Sequence, residues 1–113
     1  MTEQHKIILC KVGKNKDIIK IQFLKSLNKG IQHNYLAAAF SKCFKNHFYK
    51  IILDMTNLED ISYPFIATLI EATSKVRSKD GDVKIINLSD MAKQSISTFN
   101  SYTYLSIAEK KEK

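Results

Sequence analysis

The chain has no tryptophan, a single proline, three glycines and two cysteines among 113 residues. Each scarcity excludes something. No glycine-rich loop precedes a helix-forming stretch, so there is no phosphate cradle of the nucleotide-binding kind. Cys10 and Cys43 have neither the number nor the spacing of a disulfide framework or a zinc site, and both are expected as core thiols in a reducing compartment. The apolar run Ile7-Ile8-Leu9-Cys10 is too short for a signal-peptide core or a membrane span. A soluble cytoplasmic protein without a transmembrane segment is the expectation. His5, His33 and His47 lie far apart with no partner at metal-ligand spacing, and no nucleophile stands beside a base and an orienting group. No enzymatic activity, metal or cofactor is therefore expected.

What the chain does contain is a core. Hydrophobic residues make up 44% of it, enough at this length for a single domain spanning residues 1–113 and too little for two. The formal net charge is +7, with 18 Lys and Arg against 11 Asp and Glu. The lysines form a scattered coat from Lys6 to the tail rather than a stripe on one element. Phe23, Phe40, Phe44, Phe65 and Phe99 fall at periodic, core-like positions instead of alternating with the basic residues. A reader of DNA or RNA would concentrate its charge or interleave it with stacking aromatics, so no direct nucleic-acid partner is expected. A basic surface favours an acidic protein or an anionic membrane surface.

The hydrophobic pattern predicts eight elements. Residues 7–12 and 17–24 read as strands of a hairpin around Gly13-Lys14-Asn15-Lys16, with Ile19, Ile21 and Phe23 on one face. A helix over about 31–48 follows from Ile31, Tyr35, Leu36, Ala39, Phe40, Cys43 and Phe44, with Gln32, His33, Lys42 and Lys45 largely off that stripe. The run Tyr49-Lys50-Ile51-Ile52-Leu53-Asp54-Met55 has the composition of a strand buried on both faces. The second helix starts near Pro64, which suits a first turn, and carries Phe65, Ile66, Leu69, Ile70, Thr73 and Val76 inwards. Asp80-Gly81 makes a turn, residues 83–88 a fourth strand, and Ser89-Asp90 an N-cap for a third helix with Met91, Ala92, Ser95, Ile96 and Phe99 on its stripe. Residues 104–108 form a short last strand. The fold class expected is a small α/β single domain, a mixed sheet with helices packed on it, whose core includes Ile52, Leu53, Leu69, Ile70, Ile85 and Ile86. Right-handed crossovers put the loops after the third and fourth strands at one edge of the sheet, which makes residues 56–64 functional ground. Asp54, Glu59 and Asp60 cluster there; they suit a cation or acid–base chemistry, and more simply the positive end of the second helix.

From about Ile7 to Ile107 the chain resembles the STAS domain family, the anti-sigma-factor antagonists and their relatives. The resemblance is carried by Ile51-Ile52-Leu53-Asp54-Met55-Thr56-Asn57-Leu58, similar to a family strand ending in Leu-Asp-Leu-Ser-Gly-Val, and by the turn, helix and Asp80-Gly81 that follow. It implies a small STAS-like fold and a non-enzymatic bacterial module for partner switching in transcription regulation. In such a module a Ser or Thr in an Asp-Ser-Ser-Gly-Leu loop is phosphorylated, and the unphosphorylated form binds an anti-sigma factor or a serine/threonine-kinase-like protein. Here that loop departs from the pattern. Without gaps, Ser62 falls on the family's Asp, Tyr63 on the preceding Ser, Pro64 on the phosphoacceptor and Phe65 on Gly. Pro64 has no hydroxyl. A second register lays Asp60-Ile61-Ser62-Tyr63 on Asp-Ser-Ser-Gly and makes Ser62 the alternative acceptor, at the expense of a deletion of about two residues. Phe65 adds bulk where a partner would approach. The implied partner-binding set is Thr56, Asn57, Ser62, Tyr63, Phe65 and Asn87. The alternative function is a non-switching STAS subunit of a signalling scaffold or lipid-transport complex. Relatives usually close with a further helix where this chain has Glu109 to Lys113, which would leave an apolar patch for self-association or a partner.

Overall fold

The computed structural model of the protein describes residues 7–24, 27–98 and 104–107. Its elements follow the order β1 (Ile7–Val12), β2 (Ile18–Phe23), α1 (Gln32–Lys45), β3 (Lys50–Asp54), α2 (Tyr63–Arg77), β4 (Asp82–Ile86), α3 (Asp90–Thr98) and β5 (Ser106–Ile107). The five strands lie in sequence order, β1-β2-β3-β4-β5, with β1 antiparallel to β2 and the remaining neighbours parallel. This is the small mixed α/β sheet with helices packed on it that the sequence predicts.

That strand order has a consequence for the layers. The connections β2-α1-β3, β3-α2-β4 and β4-α3-β5 all step to the next strand in one direction, and right-handed crossovers of that kind place all three helices on the same face. Burial agrees. Leu9, Ile21, Leu53, Ile85 and Ile107 form one cross-strand row; the three central residues have no exposed surface and the two outer ones are partly buried. The neighbouring row on the opposite face, Cys10, Lys20, Ile52, Lys84 and Ser106, is exposed or only partly buried.

Several expectations change accordingly. β3 is not buried on both faces, and Ile52 and Ile86 lie on the open face, half-buried, while Leu53, Ile85 and Leu69 are in the core as predicted. Ile70 flanks the core instead of filling it. Cys10 is exposed because it pairs with Lys20 on the open side, whereas Cys43 is buried, and burial pushes its thiol up to about 11. Ile31 and Met91 are exposed. The expectations for Phe99, Ala108 and the closing residues lie outside the described residues.

Local signals explain where the elements stop. α1 ends three residues before its predicted limit, because His47 takes a left-handed φ of 62° and the Phe48 N–H donates back to the Cys43 carbonyl at 2.9 Å. α2 closes in the same way through Asp80, φ 64°, with the Gly81 N–H donating to the Val76 carbonyl at 3.0 Å. Gly81 is required there by proximity: a Cβ would stand 1.8 Å from the Tyr49 carbonyl oxygen. β4 stops at Ile86 because Asn87, φ 59°, turns the chain.

Candidate functional site

The carboxyl ends of β3 and β4 meet at Asp54, the last residue of β3. Its side chain is on the otherwise open face yet only 6% of the residue is exposed, because the two following loops fold over it. Asp54 Oδ1 accepts from the Thr56 N–H at 3.1 Å, Thr56 Oγ1 at 2.6 Å and Asn87 Nδ2 at 3.0 Å, and Oδ2 accepts from Gln22 Nε2 at 3.3 Å. Lys20 Nζ stands 3.8 Å from Oδ2. Burial on its own would raise the Asp54 carboxyl, but the hydrogen bonds from Thr56, Asn87 and Gln22 outweigh it and hold the group below the ordinary carboxylate value. One ionised side chain thus ties together β2, the loop after β3 and the loop after β4.

The loop from β3 to α2 is held by two further devices. Leu58 and Ile61 are buried in the core, and Asn57 Nδ2 donates to the Phe23 carbonyl at 2.7 Å. Gln32, the first residue of α1, has no exposed surface; its Nε2 donates to the Asp60 carbonyl at 3.1 Å and its Oε1 accepts from the Ser62 N–H at 2.9 Å. Gln32 is off the stripe expected for this helix. Its spacing to Leu36, Ala39, Phe40 and Cys43 is nevertheless that of a buried face, i, i+4, i+7, i+8 and i+11, and that spacing was the available signal. A buried glutamine at such a position needs partners, and the loop backbone provides them.

Ser62 is the N-cap of α2: its Oγ accepts from the Phe65 N–H at 3.2 Å, and Pro64 follows in the first turn, where a missing N–H interrupts nothing. Tyr63 is 59% exposed and, with Ile66, Ala67, Ile70 and Glu71, lines a shallow cleft of about 430 Å³. Thr56, Asn57, Pro64 and Asn87 are exposed and Ser62 is partly so. These residues share one end of the sheet. Phe65 does not share their surface: it has no exposed area and packs against Phe23, ring centroids 6.1 Å apart. The expectation that its ring adds bulk at the approach to the loop is corrected; the ring points into the core because Phe65, Leu69, Ala72 and Val76 lie on the sheet-facing side of α2.

The acidic cluster disperses. Asp54 is bonded to Thr56, Asn87 and Gln22 on the open face of the sheet, Asp60 pairs with Lys29 at 3.0 Å, and the Glu59 backbone carbonyl accepts from Ser89 Oγ. The helix cap is Ser62, not a carboxylate. Among the described residues no three His, Cys, Asp or Glu side chains converge as metal ligands; His33 is in the first turn of α1 and His47 in the loop after its end. No helix among them is long and apolar enough to cross a membrane.

No curated protein matches the sequence significantly. Solved structures do resemble the fold. A crystal structure of a candidate anti-sigma factor antagonist from Thermotoga maritima superposes with a TM-score of 0.80 at 17% identity, covering 94% of this chain and 88% of that one. The NMR structure of protein TM1081 gives 0.74 at 16% identity over 96% and 85%. The unphosphorylated anti-sigma factor antagonist SpoIIAA gives 0.68 at 13% identity over 93% and 89%. At these identities the likeness establishes the fold. The profile of the STAS domain matches residues 14–110, and the chain belongs to the STAS domain family.

Proposed function

We propose that this STAS domain is a non-catalytic, cytoplasmic regulatory module that docks an anti-sigma factor or a serine/threonine-kinase-like protein. The docking surface is the end of the sheet bearing Thr56, Asn57, Ser62, Tyr63 and Asn87. The observation that carries this reading is the Asp54 clasp, which joins the two loops into one preformed surface beside the exposed Tyr63 ring and its cleft. A preformed surface is worth more than its contacts suggest, since little conformational freedom is lost on binding. Phe65 belongs to the support of that surface, not to its face. Buried Cys43, with its raised thiol, is a packing residue and not a nucleophile.

Pro64 favours a second version of the same reading. In the gapless register the phosphoacceptor position has no hydroxyl, which suits a STAS subunit that docks constitutively in a signalling scaffold or lipid-transport complex. A neighbouring gene for a histidine-kinase-like ATPase points to the first version, and neighbouring transporter genes to the second. The direct test is capture of the partner from the native cell by the tagged protein, identification by mass spectrometry, and calorimetric titration of the purified pair. Tyr63→Ala should weaken that complex at least about tenfold, or about 1.4 kcal/mol, with the fold intact. An unchanged affinity places the interface elsewhere.

A further inference from the structure

The far edge of the sheet combines three features that the loop surface does not use. β1 is a terminal strand, paired only with β2 among the described residues, so alternate N–H and C=O groups along Ile7–Val12 face outwards without a strand neighbour. An exposed edge of this length without proline is a template for another strand. Second, α1 packs chiefly on α2 and only lightly on β1. The core-facing Ile7 and Leu9 are left half-buried beneath a groove of about 590 Å³, walled on the α1 side by Tyr35 and Ala38. Third, one end of that groove is basic. Lys42 and Lys45, both exposed, line it near the end of α1, and neither is ion-paired with a carboxylate among the described residues. Lys11 lies at the same end, its Nζ 5.6 Å from the centre of the Phe48 ring.

We infer that the β1 edge accepts an extended acidic segment of another protein as a sixth strand. Main-chain hydrogen bonds to β1 supply the pairing. Apolar side chains at alternate positions enter the groove over Ile7 and Leu9, and carboxylates further along meet Lys42, Lys45 and Lys11. A second copy of this chain is the poorer occupant, because its own β1, Ile7–Val12, has no carboxylate to meet Lys42 and Lys45 and it adds a second surface carrying +7. The charge also predicts that salt weakens binding.

The test titrates the full-length, ¹⁵N-labelled protein with the synthetic peptide Glu-Thr-Glu-Thr-Val-Thr-Val-Thr and its reversed sequence. Controls replace Glu by Lys or place proline at the centre. Saturable shifts confined to the amides of β1 and the groove face of α1, with slowed exchange of β1 amides, support the assignment. Binding should fall at least about tenfold, or about 1.4 kcal/mol, in the surface variant Lys42→Glu/Lys45→Glu, and should be lost with either control peptide. Tyr63→Ala should leave it unchanged. Absence of saturable binding to millimolar peptide, shifts centred on Thr56, Ser62 and Tyr63, or a dimer of the free protein through β1 in sedimentation would each overturn it.

Discussion

At the scale of single residues, two polar side chains do most to shape the candidate surface, and both act by hydrogen bonding from buried positions. Gln32 satisfies the Asp60 carbonyl and the Ser62 N–H at once. Gln32→Ala strands both groups; at about 1–3 kcal/mol for a fully buried unsatisfied group, and with Asp60 and Ser62 half-buried, the loss should be at least about 1 kcal/mol in urea unfolding. A change under half that value would mean that water replaces the amide. Asp54 gives a pH signature instead. Its folded-state carboxyl titrates below its unfolded value, so its contribution is fully present above about pH 4 and is lost as pH falls through the folded value. Asp17 and Asp82 are shifted in the same direction, Asp17 by the Lys50 hydrogen bond, and Asp82 because burial, which would raise it, is outweighed by hydrogen bonds from Arg77, Val83 and Ser106. The informative comparison is therefore with a variant. Asp54→Asn should be less stable than wild type at pH 7, and that gap should narrow by pH 3. A gap independent of pH would show that the charge on Asp54 contributes nothing.

At the scale of elements, α2 separates what the family resemblance implies from what the chain does locally. Ser62 already accepts the Phe65 N–H, so its hydroxyl has a structural role in starting the helix before any modification is considered. Pro64 fixes the first turn and offers no acceptor oxygen. Incubated with ATP and a cognate kinase, the wild-type protein should take up no phosphate, while Pro64→Ser should be labelled if the kinase still docks. A phosphate there would sit at a helix N-terminus, where its charge is favoured and would alter docking. Stoichiometric phosphate on wild-type Ser62 would replace the gapless register with the one that places Ser62 on the acceptor. Phe65 cannot serve as an interface probe, because Phe65→Asp puts a carboxylate against Phe23 in the core and should unfold the domain instead of reporting on contact.

At the scale of the whole molecule, the sheet is one layer with helices on a single side, and this asymmetry distinguishes adjacent residues of similar hydrophobicity. Leu53→Ala should cost about 2–5 kcal/mol, the range for truncating a buried leucine. Ile52→Thr, one position along β3 but half-exposed on the opposite face, should cost only about 1 kcal/mol, the middle of the range for point substitutions in general. Thermal or urea unfolding of the two variants measures the difference directly. Equal losses would mean that something covers the second face.

The order of elements, the hairpin and the turn at Asp80-Gly81 were legible in the sequence, because each depends on local periodicity or on the backbone preference of one or two residues. The family was legible for the same reason, through the strand ending at Asp54 and the spacing to Gly81. Three features were not. Ile52 and Leu53 read alike until the strand order decides which face the helices cover, and the same decision exposes Cys10. Phe65 looked like an addition to the surface until packing against Phe23 turned it inwards. Gln32 and Asp54 became structural only when chain segments about thirty residues away presented a carbonyl, an N–H or an amide to them. Local pattern determines which elements form, since their dihedral and hydrophobic preferences act between near neighbours; which face is covered and which polar groups are satisfied depend on partners distant in the chain, and only the tertiary structure supplies those.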